Sequence, residues 1–122
     1  MSIIELQTNK GTISVEAEII AGVLAIHPTI ALTLDKALFP RYRSYSLTHI
    51  GTSIRIASFR TKGSARLVAT HILPLADWKT LTFANCPKTL YKQVATVIHD
   101  RVKPDHMIYP TPKAVERFAK GD

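Results

Sequence analysis

Between Gly11 and Ile20 the chain reads GTISVEAEII, with Ile13, Val15, Ala17 and Ile19 alternating with Ser14, Glu16 and Glu18. A period of two is that of a strand with one buried face. The preceding run, IIELQT, is separated from it by Asn9-Lys10-Gly11, and Asn and Gly supply the positive-φ positions of a tight turn. Residues 2–20 are therefore predicted to form a hairpin. The following run, GVLAIHPTIALTL, opens with a buried strand over Val23 to Ile26. Pro28 is expected to end it, since proline has no N–H to give to a ladder. From Thr29 to Phe39 two patterns compete. Ile30, Leu32 and Leu34 alternate as in a strand, whereas Ala31, Leu34, Ala37 and Leu38 suit a short helix, and Pro40 is expected to stop either one.

A second hairpin is predicted in SYSLTHIGTSIRIASF, turning at Gly51-Thr52-Ser53. Alternation puts Ile54, Ile56 and Ser58 on one face of its second strand and Arg55, Ala57 and Phe59 on the other. The period then changes. Ala65, Val68, Ala69, Ile72 and Leu73 fall at helical spacing, with Thr61 placed to cap the helix and Pro74 to end it. Leu81 to Phe83 is expected to be a short edge strand. Asn85 is expected to cap a second helix with a buried stripe of Leu90, Val94, Val97, Ile98 and Val102, stopped by Pro104. Thr111-Pro112 opens a third, since a cap followed by proline at the first helical position is a start signal. The class expected is α+β: antiparallel hairpins forming one sheet, with two or three helices packed on it, in a single domain spanning residues 1–122.

Composition narrows the function. Hydrophobic residues make up 46% of the 122, enough for a core. The longest apolar stretch, Ile19 to Ile26, is too short to span a bilayer, so no membrane partner is expected. A lone cysteine, Cys86, excludes an internal disulfide and fits a reducing compartment, which points to a cytoplasmic protein. The formal net charge is +7, and its distribution matters more than its sum. Residues 1–40 are net acidic. Residues 41–70 hold Arg41, Arg43, Arg55, Arg60, Lys62 and Arg66 and no Asp or Glu. A surface of this sign suits a polyanion, because Arg and Lys bind phosphates directly. Phe39, Tyr42, Tyr45 and Phe59 lie among these bases, available to stack on nucleobases or to fill the core. The order strand, strand, helix from Tyr45 to Leu73 is also the local order of several small nucleic-acid-binding modules, an analogy of topology alone.

Catalytic chemistry has less support. His27, His49, His71, His99 and His106 show no ligand spacing, and Cys86 has no second thiol, so no metal or other cofactor is expected. His99 and His106 in VIHDRVKPDHMIYP are the candidates for metal-free phosphodiester cleavage by a general acid and base. Nothing in the sequence fixes their geometry. P-loop, GxGxxG and GxSxG motifs are absent.

The expectation is thus a small non-enzymatic DNA- or RNA-binding protein gripping phosphate through the six bases, an accessory or regulatory factor of the kind mobile elements carry. The alternatives are a protein-interaction module or inhibitor docking on an acidic protein surface, and a small metal-independent nuclease. Monomer and homo-oligomer are both open.

Overall fold

The N-terminal hairpin pairs β1 (Ser2–Thr8) with β2 (Gly11–Ile20), closing at Thr8 opposite Gly11. Gly11 has φ +122, a conformation open to glycine and strained for any side chain. The computed structural model describes residues 2–8, 11–32, 38–82 and 84–120. Within them six strands form one antiparallel sheet in the order β1-β2-β3-β4-β5-β6, so every strand lies beside its sequence neighbour. With three α-helices this is the α+β class that the periodicities imply.

β2 turns into β3 (Leu24–Leu32) through Ala21, Gly22 and Val23, with Ala21 and Gly22 at positive φ and the Val23 N–H donating to the Ile20 carbonyl at 3.1 Å. β3 does not end at Pro28. It continues through it, because the register with β4 (Leu38–His49) jumps there, from Pro28 opposite Tyr45 to Thr29 opposite Arg41. A proline at such an irregularity withholds no ladder bond. Pro40 likewise sits within β4, opposite Ile30. The competition between strand and helix over Thr29 to Phe39 resolves as strand up to Leu32 and again from Leu38, and residues 33–37 lie outside the described ones.

β4 pairs with β5 (Ile54–Phe59), and here a second irregularity changes the face assignment. Leu47 lies opposite Ala57 but Thr48 opposite Arg55, which leaves Ile56 as the extra residue. Arg55 therefore does not share a face with Ala57 and Phe59, as simple alternation expects. It follows the line of Thr48, Ser46 and Ser58. The connecting turn places Ser53, not Gly51, at positive φ. Gly51 has another reason to lack a side chain, since a Cβ there would lie 3.3 Å from the His49 ring.

The helices form as their sequences dictate. α1 (Lys62–Ile72) is capped by Thr61, whose hydroxyl accepts from Ser64 N–H, and it buries Ala65, Val68, Ala69 and Ile72. A 3₁₀ turn carries the chain past Pro74. Leu81 and Thr82 form no strand, and Phe83 is outside the described residues. α2 (Lys88–Arg101) starts from Pro87 without a side-chain cap. Asn85 instead accepts from Thr82 N–H and donates to the Thr80 carbonyl, closing its own turn. β6 (Met107–Tyr109), which the pattern does not announce, adds to β5. α3 (Pro112–Ala119) is capped by Thr111. The main core joins Leu24, Ile26, Leu47, Ala57 and Phe59 of the sheet to the buried stripes of all three helices.

The opposite face of the central strands is also buried, but polar. Thr29 Oγ1 lies 2.6 Å from Ser44 Oγ and 2.9 Å from Ser46 Oγ, and Ser46 lies 2.8 Å from Ser58. His27 sits beside this chain. A carbonyl oxygen only accepts, so Nδ1 carries the hydrogen and donates to the Pro28 carbonyl at 2.7 Å, leaving Nε2 to accept from the Thr48 hydroxyl at 2.8 Å. Among the described residues no buried side-chain polar atom lacks a partner. Leu6, Val15 and Ala17 are buried outside the main core. Glu18 is opposite Ile26 and meets α1, so alternation puts Val15 and Ala17 on the polar side.

Candidate functional site

The register of β4 and β5 sorts the six bases of residues 41–70. Tyr45 is opposite Phe59. Arg41 and Arg43, upstream of Tyr45, thus share one end of the sheet with Arg60 and Lys62, downstream of Phe59. The side chains of Arg41 and Arg43 lie outside the described part. Arg60 is exposed, and its backbone N–H donates to the His106 carbonyl at 2.8 Å, which ties the start of α1 to the turn before β6. The Lys62 ammonium is 5.6 Å from the centre of the Tyr45 ring.

Two of the bases are drawn elsewhere. Arg66, one helical turn further on, makes a bidentate pair with Glu18 of β2, with Nε to Oε2 at 2.8 Å and an Nη to Oε1 at 2.7 Å. The Arg66 hydrogen bond holds the Glu18 carboxyl below its usual range against the opposing effect of burial, with lesser help from the charges of Arg66 and Lys62. Arg55 stands at the far end of β5, five residues and about 16 Å of extended chain from Arg60. Its guanidinium carbon lies 4.1 Å from the centre of the Tyr109 ring. The six bases are thus not one patch: four share an end of the sheet by backbone position, one is neutralised and one is stacked at a distance. The count of bases was readable in the sequence. The partner of Arg66 was not, since it lies 48 residues away.

The other candidates are dispersed. His99 Nδ1 is 3.3 Å from Asp100 Oδ1 on the exposed side of α2, while His106 is half-buried in the turn before β6. Among the described residues no hydrogen bond or ring contact joins these histidines, and no group of three or more His, Cys, Asp or Glu is arranged to hold a metal. Cys86 is half-buried ahead of α2, and its side chain raises the pKa of the Tyr91 phenol. Among the described residues no helix is long and apolar enough to cross a membrane. Comparison with protein-family models, curated proteins and solved structures gives no match.

Proposed function

We propose that the protein binds nucleic acid by its phosphate backbone, without chemistry on it, through the end of the sheet that carries Arg41, Arg43, Arg60 and Lys62. The observation that supports this most is the convergence of these four backbone positions at one end of the β4–β5 pair, in a segment that contributes no acid. Arg66 is held in reserve by Glu18, and Arg55 is too far along β5 to join them.

Fluorescence anisotropy with a labelled DNA duplex and a labelled single-stranded RNA tests the reading. If the four cations each neutralise a phosphate, log K should fall with log salt at a slope of about −3 to −4 on the duplex between roughly 50 and 200 mM salt. Arg60→Glu with Lys62→Glu should remove measurable affinity. Each substitution should leave unfolding within about 0.5 kcal/mol of the parent, as expected of surface positions. A protein with no salt-sensitive affinity for either polymer at low ionic strength would refute the proposal and turn attention to an acidic protein surface as partner.

The ion pair supplies an independent check. Glu18→Gln removes the carboxylate that occupies Arg66 and acts on Lys62. Binding should tighten and the salt slope steepen by about 0.9, the increment for one further phosphate contact. An unchanged slope would mean that Arg66 lies away from the path of the phosphates.

A further inference from the structure

A pocket of about 340 Å³ opens beside the β4–β5 turn, between the Trp78 segment and helices α2 and α3. This is within the usual size of small-molecule sites, roughly 300–1,000 Å³. Its wall includes Ile54, Tyr91, Tyr109 and Phe118, four large apolar or aromatic residues that the fold leaves exposed, together with the buried Trp78 and Val94. Unfilled apolar wall of this kind gains by excluding water.

The polar groups of the wall can be taken in turn. His49 donates from Nε2 to the Trp78 carbonyl at 2.6 Å and accepts at Nδ1 from the Thr52 hydroxyl at 2.8 Å, so both ring nitrogens are engaged. The Thr52 oxygen in turn accepts from the Ile54 N–H. Cys86 and Tyr91 influence one another, the thiol raising the phenol's pKa. Arg55 remains. It is the single cation in a lining that contains no Asp or Glu, and among the described residues no acid pairs with it. Its guanidinium carbon lies 4.1 Å from the centre of the Tyr109 ring, a contact that supplies no carboxylate, and a guanidinium fork without an acidic partner is a group that receives a carboxylate bidentately.

We infer that this pocket binds a small amphipathic carboxylic acid, its carboxylate on Arg55 and its apolar body against Ile54, Trp78, Val94 and Phe118. The inference stands apart from the nucleic-acid reading, in which Arg55 has no part, and either can fail without the other.

The chain carries its own reporters, since its one tryptophan, Trp78, and its one cysteine, Cys86, both line the pocket. Decanoate below its micelle concentration is the probe and decanol its uncharged control. Decanoate should change Trp78 fluorescence saturably and slow the alkylation of Cys86 by N-ethylmaleimide. Arg55→Gln, at an exposed position, should weaken decanoate about tenfold or more, the scale of a lost charge-assisted hydrogen bond, and leave decanol nearly unaffected. Ile54→Asp, also exposed, sets a carboxylate in the wall beside Arg55 and should abolish decanoate binding, with folding of both variants checked by circular dichroism. Absence of a saturable response to decanoate overturns the inference. So does equal weakening of decanoate and decanol by Arg55→Gln, or undiminished decanoate binding to Ile54→Asp.

Discussion

Phe59→Ala is expected to lower the free energy of unfolding by about 3–5 kcal/mol, read from the midpoint of urea denaturation at constant slope. Phe59 is 0% exposed and is among the largest fully buried side chains. It stands opposite Tyr45 on β4 and Met107 on β6, in the same cluster as Val68 and Ile72 of α1. Its truncation removes apolar contact and leaves a void bounded by three strands and a helix, which such close-packed surroundings fill only in part. Arg60, the next residue, is exposed, and Arg60→Ala should stay within about 0.5 kcal/mol of the parent. The contrast between neighbours checks that the β5–α1 junction divides core from cationic surface at this peptide bond. A loss below about 1 kcal/mol for Phe59→Ala would place the ring outside the core.

That junction was legible in the sequence because its signals are local. Thr61 and Thr111 cap their helices as expected because each needs only a partner three residues on. The apolar stripe of α1 was readable because helical period alone decides which side of an isolated helix is buried. The misread elements all depend on distant partners or on a break in period. Pro28 and Pro40 read as strand ends, yet the register jump at Pro28 lets β3 continue and Pro40 pairs within β4. The extra residue at Ile56 reassigns Arg55 to the line of Thr48, which a period of two cannot convey. β6 has three residues, too few to show alternation, and exists through its pairing with β5. Asn85 had a second use for its amide, in its own turn.

The candidate site was legible to the same degree. The excess of bases in residues 41–70 is composition, and four of them converge by backbone position. The fate of the remaining two depends on Glu18 and Tyr109, residues that approach only when the sheet forms. Buried polarity was hidden for a related reason. Ser44, Ser46, Thr48 and Ser58 look like the wet positions of alternating strands, yet they are buried, with Ser46 at 1% and Ser58 at 0% exposed. They are tolerated there because cross-strand neighbours satisfy one another, which removes most of the cost of taking a hydroxyl out of water.

His27 is where that buried polarity acquires a pH dependence. Burial lowers its pKa from the ordinary 6.5, the charge of Arg55 pushes the same way, and the bond to the Pro28 carbonyl opposes both in part. The folded protein therefore holds His27 neutral at a pH where the unfolded chain protonates it. With more protons bound in the unfolded state, stability falls as pH drops below about 6.5, at most about 1.4 kcal/mol per pH unit from this group, and is unaffected by it above. The depressed carboxyls of Glu18 and Glu116 act in the same direction, but below their ordinary 4.5, so the interval between about pH 6.5 and 5 separates the two effects. Urea denaturation across that interval should show the decline in the parent, and His27→Leu should lack the share due to this group. At pH 7.5 the same substitution should destabilise by about 1–3 kcal/mol for each buried group it strands, the Thr48 hydroxyl and the Pro28 carbonyl. Adding Thr48→Val removes one stranded hydroxyl and should restore part of the loss. A double variant no more stable than His27→Leu would show that Thr48 finds another partner, and an unchanged acid decline in His27→Leu would place the titrating group elsewhere.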